Sequence, residues 1–157
     1  MIELFQQARQ LVLLLNRSGV EYAIAGGLAV GVYGYVRATE DIDIVISAER
    51  DLKPVDQALR DADWLANPDH LTFSNGIMLH RRMKIFDHET IQLDILIPPP
   101  GMDLLSDRVR TDLQGPACWI VSARALRIMK QGTGRAKDAE DLRQLDVINP
   151  PESGDPT

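Results

Sequence analysis

The sequence predicts an α+β domain, a mixed sheet flanked by helices, on three observations. Short apolar runs with strand character (residues 21–25, 41–46, 77–87 and 90–97) alternate with stretches of helical periodicity. Two of those runs follow one another across a tight turn, as the arms of a hairpin do. Glycine and proline fall at the borders of the runs, where breaks are needed. With 157 residues the chain suffices for one domain with a real core, expected over residues 1–148 and followed by a Pro-rich, polar and disordered tail at 149–157.

In order along the chain, Leu4, Phe5, Ala8, Leu11, Val12 and Leu15 recur at helical spacing and predict a helix over 3–17, closed by Ser18 and Gly19. A strand follows at 21–25, then a turn at Gly26 and Gly27, a helix over 28–35 and a strand at 41–46. Ser47 is placed to cap a helix running to about residue 64, with Glu49 and Asp51 suited to its first turn. Residues 67–76 read as a loop with a short strand at 70–73. Strands at 77–87 and 90–97 meet at a turn near His88 and Glu89, and three prolines at 98–100 stop the second. Short strands at 109–112 and 118–121 flank a turn at 114–116. Ser122 caps a helix to 131, residues 132–134 break it, and a last helix covers 136–145.

Composition narrows the function classes. The net charge of −6 argues against a protein that coats nucleic acid. No run of 18 apolar residues could span a membrane, and the first helix lacks the basic start and cleavage site of a signal peptide. A single cysteine, Cys118, excludes an internal disulfide framework and a cysteine-rich zinc site, and fits a reducing cytoplasm. The glycines at 26–34 match neither a dinucleotide fingerprint nor a Walker A loop.

The informative segment is Gly26-Gly27 followed by Asp41-Ile42-Asp43. Residues i and i+2 of a strand share a face, so Asp41 and Asp43 project together while Ile42, Ile44 and Ile46 point into a core. Two neighbouring carboxylates with no basic residue between them repel unless a cation sits there, and hard oxygen donors suit Mg²⁺ or Mn²⁺. Glycines before them permit close backbone approach to a phosphate. Asp94 lies mid-strand in an apolar run, an unfavourable place for an acid without a task. If that strand neighbours 41–46, Asp94 completes a three-acid site able to hold two metal ions for displacement at phosphorus.

These residues resemble the polymerase-β-like nucleotidyltransferase superfamily, above all its small bacterial members of the antibiotic-modifying, toxin–antitoxin and abortive-infection types. The resemblance covers about residues 20–145. It implies Mg²⁺-dependent transfer of NMP, most simply AMP from ATP, to a hydroxyl on a protein, a tRNA end or a small molecule, with pyrophosphate released. Asp41, Asp43 and Asp94 match the metal ligands, Asp94 also activating the acceptor; Gly26 and Gly27 match the triphosphate turn. The second turn position is glycine where many relatives have serine, and 13 residues separate the turn from Asp41. Residues 135–142 resemble a Lys-Asp-x-x-Asp-hydrophobic signature that ends many such proteins. Lys130, Lys137 and Arg37 are candidate phosphate contacts, against the plainer reading that they are ordinary surface or ion-pair cations. Asp138 and Asp141 read as structural, paired with Arg135 or Lys137.

The basic stretch 80–84, with His80, Arg82 and Lys84 on one face, reads as charge guarding an exposed edge strand, against the alternative of a surface for RNA or an acidic partner. So small a chain leaves room for a homodimer or partner protein to complete the acceptor site. The alternatives are a non-catalytic, antitoxin-like binder and an NTP sensor on the same fold.

Overall fold

The computed structural model describes residues 2–34, 41–131 and 135–148. Arg37, the break at 132–134 and the tail at 149–157 lie outside them, as does the side chain of Lys137.

Helix α1 (Ile2–Ser18) buries Leu4, Ala8, Leu11, Val12 and Leu15, the stripe its periodicity marks out. Strand β1 (Tyr22–Ala25) leads into α2 (Gly26–Val32), which starts at Gly26 itself with no intervening turn. Strand β2 (Asp41–Ile46) follows. Ser47 does not cap the next helix: its hydroxyl donates to Asp51 Oδ2 at 2.8 Å, a 3-10 turn (Glu49–Asp51) intervenes, and α3 (Leu52–Arg60) stops short of Trp64.

The chain then forms β3 (Leu65–Thr72), β4 (Met78–Phe86) and β5 (Glu89–Ile97). The expected loop at 67–76 is therefore mostly strand. Asp87 and His88, both at positive φ (52° and 66°), make the two-residue hairpin turn. That pair of left-handed residues matches the twist of the flanking strands. Strands β6 (Val109–Asp112) and β7 (Ala117–Ile120) precede α4 (Ala123–Gln131) and α5 (Ala136–Ile148). Ser122 does cap α4, its hydroxyl accepting from the Ala125 N–H at 3.1 Å.

All seven strands form one mixed sheet in the order β3-β4-β5-β2-β1-β7-β6, with β2 parallel to β5 and β1 parallel to β7. Helices cover both faces. On one, α1 and α3 pack on Tyr22, Ile24, Ile42, Ile44, Leu93 and Ile95. On the other, α2, α4 and α5 bring Ala29, Val30, Leu126 and Leu145 against Ala23, Ala25, Val45 and Leu96. Alanines on β1 and α2 let that helix lie close, which brings Gly26 onto the strand carrying the acids.

Strand β4 is interior, between β3 and β5, so the edge-guard reading of its basic residues is corrected. Arg82 is buried and forks onto Asp56 of α3 (2.8 and 3.0 Å), Lys84 sits 5.8 Å from the Trp64 ring centroid, and His80 stacks on His70. Those charges tether the sheet to the α3 layer. No helix among the described residues is long and apolar enough to cross a membrane.

Candidate active site

Pairing of β2 with β5 sets Asp43 directly opposite Asp94 and Asp41 opposite Gln92. Side chains opposite one another share a face, and parallel neighbours lie about 4.8 Å apart. The three acids that the sequence singles out thus stand on one face of two adjacent strands, as expected. On the other side of β5, Arg81 of β4 lies opposite Asp94. The row across the sheet is therefore Asp43, Asp94, Arg81.

Arg81 closes on Asp94 as a two-pronged ion pair: Nε donates to Oδ1 at 2.8 Å and Nη2 to Oδ2 at 3.2 Å. Asp94 is buried, and the pair holds the Arg81 guanidinium above its ordinary value. Sequence reading missed Arg81, because it considered only the opposite face of its strand. Its signal was the alternation of 79–85, which puts Arg81 on the acid-bearing face, and the turn at 87–88, which sets it opposite Asp94.

Asp43 has the contrary environment. Desolvation, then the charges of Asp94 and Asp41, push its carboxyl up to about 7, against a smaller opposing pull from Lys130 and Arg135. Gly26 adopts φ +62°, and a Cβ built there would lie 1.9 Å from Asp43 Oδ2. Only a residue without a side chain lets the backbone pass so close to that oxygen.

Lys130 and the two acids of the C-terminal signature form one buried cluster. Lys130 Nζ donates to Asp138 Oδ1 at 3.2 Å and Asp141 Oδ2 at 2.8 Å, while Arg135 Nε donates to Asp138 Oδ2 at 2.7 Å. Asp138 and Asp141 are structural, tying α5 to α4. Lys130 contributes positive potential at Asp43 from within that cluster.

The chemistry of the donors fits a divalent cation at Asp41 and Asp43, where like charges crowd a desolvated carboxylate beside a glycine cradle. Among the described residues no three or more His, Cys, Asp or Glu side chains are gathered so as to hold a metal ion as they stand. Both Asp94 oxygens are engaged by Arg81, leaving each a second lone pair.

Residues 1–152 match the family described as nucleotidyltransferase of unknown function (DUF6036). No curated protein matches the sequence. Among solved structures, a Thermotoga maritima protein put forward as a nucleotidyltransferase is similar, with a TM-score of 0.62 at 18% identity, covering 92% of each chain. ANT(2")-Ia, solved in complex with adenylyl-2"-tobramycin, has a TM-score of 0.58 at 12% identity, over 91% of this chain and 87% of that one. JHP933 from Helicobacter pylori has a TM-score of 0.53 at 19% identity, over 90% of this chain and 64% of that one. At such identities the likeness is one of fold.

Proposed function

This chain belongs to that nucleotidyltransferase family, and from this premise we propose that it moves a nucleoside monophosphate from an NTP to an acceptor hydroxyl, releasing pyrophosphate. One observation carries the reading: Asp43 and Asp94 face each other on adjacent parallel strands, with Asp41 beside them and Gly26 cleared of any side chain over Asp43. AMP from ATP is the preferred transfer, since the similar ANT(2")-Ia was solved with an adenylylated compound.

Asp41, Asp43 and Asp94 would hold Mg²⁺ or Mn²⁺, which when bound neutralises phosphate charge and lowers the pKa of an acceptor hydroxyl. Gly26 and Gly27 allow the triphosphate to approach the backbone. Lys130 and Arg135 add positive potential on that side of the row. Arg37 and Lys137 are further candidate phosphate contacts. Arg81 fixes the Asp94 carboxylate in one orientation, poised to take the acceptor's proton. The acceptor oxygen then bonds to the α-phosphorus, the bond from that phosphorus to its bridging oxygen breaks, and pyrophosphate carries away the electron pair.

The test is transfer from α-³²P-labelled NTPs, with Mg²⁺ or Mn²⁺, into RNA, protein and small-molecule fractions of a cell extract. Label should enter one fraction, and Asp43→Ala should reduce it about 10³-fold, the equivalent of several kcal/mol of lost charge stabilisation. Label in no fraction, or equal label with the variant, would overturn the assignment.

A further inference from the structure

The row Asp43, Asp94, Arg81 has unlike ends. Toward β1 it meets Gly26 and the positive potential of Lys130 and Arg135; toward β3 it runs onto side chains of another kind. Register places Leu79 beside Leu96 and Leu71, Met83 beside Gln92 and Leu65, and Ile85 beside Thr90, all on the face that carries the acids. Leu65, Leu71 and Ile85 are 58%, 51% and 67% exposed, while Leu79 and Met83 are half-buried. The same strands carry His80, Arg82 and Lys84 on the opposite face, against the α3 layer. The acid-bearing face of β3 and β4 is thus an apolar shelf, and Arg81, already paired with Asp94, is the one charged residue among those named on it.

Large exposed apolar side chains gathered beside a reactive carboxylate call for a ligand that covers them. The shelf's location decides which ligand. Anything lying on it touches Arg81 and Asp94, so a permanent cover would block the row, whereas an acceptor must lie there. Size favours a small molecule. From strand spacing and rise the shelf measures about 10 Å by about 20 Å, well below the roughly 800 Å² that each partner contributes to a stable protein interface. Charge excludes two familiar acceptor types. Among the residues named on the shelf none is acidic and Arg81 is the one base, so neither a polycation nor a nucleic acid finds a complementary patch there. Strand addition by a second copy is discouraged by Pro68 and by the register shift between Ala66 and His70 on β3.

On the transferase reading above, we propose that the acceptor is a small, uncharged molecule whose hydroxyl is carried on an apolar body, aromatic or alkyl. The body lies over Leu71, Leu79 and Met83, and the hydroxyl meets Asp94.

The test follows Leu and Met methyl resonances of the whole chain, with Mg²⁺ and α,β-methylene-ATP present, while 4-propylphenol or tobramycin is titrated in. Saturable shifts at Met83, Leu79 and Leu71 with the phenol, and none there with tobramycin, are expected. Leu71→Glu, at an exposed position, should weaken the phenol at least about tenfold and leave nucleotide affinity unchanged. Phenol shifts absent or scattered elsewhere would overturn the proposal, as would tobramycin moving the same methyls. So would a concentration-dependent dimer, seen by light scattering, that Leu71→Glu dissolves. Phenol on the shelf with no nucleotide binding at all would sink the transferase reading and keep the shelf as a ligand site.

Discussion

Gly26 and Asp43 are bound together more tightly than their 17-residue separation suggests, because β1 and β2 are antiparallel with Ala25 opposite Asp43. Gly26→Ala carries two costs. The left-handed backbone costs a residue with a Cβ about 1–2 kcal/mol, and the new methyl displaces the Asp43 carboxylate. Expected outcomes are a lower unfolding midpoint and loss of transfer comparable to that of Asp43→Ala. In an Asp43→Ala background only the backbone cost and a tight 3.1 Å contact with the Cβ remain. Urea denaturation of the four proteins of this cycle should therefore show coupling; strictly additive costs would mean that the two residues do not meet. The acids themselves were legible in the sequence, since alternation in a strand assigns faces without any tertiary information. Arg81 was not. Placing the turn at His88 and Glu89 instead of Asp87 and His88 slides the hairpin so that Met83, not Arg81, faces Asp94. Both true turn residues adopt positive φ without being glycine, so no glycine marks the turn.

Among elements, β3 was the least legible. Asn67, Pro68 and Asp69 are poor strand formers, and only an edge strand with an irregular register tolerates them. Strands β2 and β5, with their unbroken Ile and Leu alternation, were plain. The junction of α4 and α5 was half legible. The motif at 135–142 suggested inward-facing acids, but nothing local indicated that Lys130, on the preceding helix, was their partner. Its side chain is almost wholly enclosed, as are those of Asp138 and Asp141. Lys130→Met would take the ammonium from the buried Asp141 carboxylate and leave Asp138 to Arg135, and should destabilise the chain by about 3–5 kcal/mol. Lys130→Met with Asp138→Asn and Asp141→Leu should recover much of that loss in chemical denaturation. Failure of the triple variant to recover would show that Lys130 acts through something other than this cluster.

At the scale of the whole molecule, the two faces of the sheet differ: one packs on α1 and α3, and the other is part core and part the row of acids. The concentration of negative charge on the second face has a consequence for stability. Asp43 titrates near 7 in the native state and near 3.9 when unfolded. Between those values the native state binds more protons, so this group's contribution declines as pH rises through the window and is fully unfavourable above it. In EDTA, Asp43→Asn should therefore gain stability relative to wild type from about pH 4 to about pH 7, with the difference flat beyond. Paired urea titrations across that range check it, and a difference that shrinks with rising pH would contradict a desolvated, like-charged Asp43 as its origin.

The Arg81–Asp94 pair also bears on the order in which the sheet can be assembled. Its residues are 13 apart in sequence, within one hairpin. Asp43 and Asp94 meet only when a long crossover through α3, β3 and β4 has closed, and parallel, non-local closure of that kind is slow. The hairpin can thus arrive at β2 with a guanidinium already beside its carboxylate, so that the slow step brings Asp43 toward a paired anion and not a bare one. Arg81 is thus a counter-charge that travels with its own strand, softening the approach of Asp94 to Asp43 in the docking step as it does in the finished sheet.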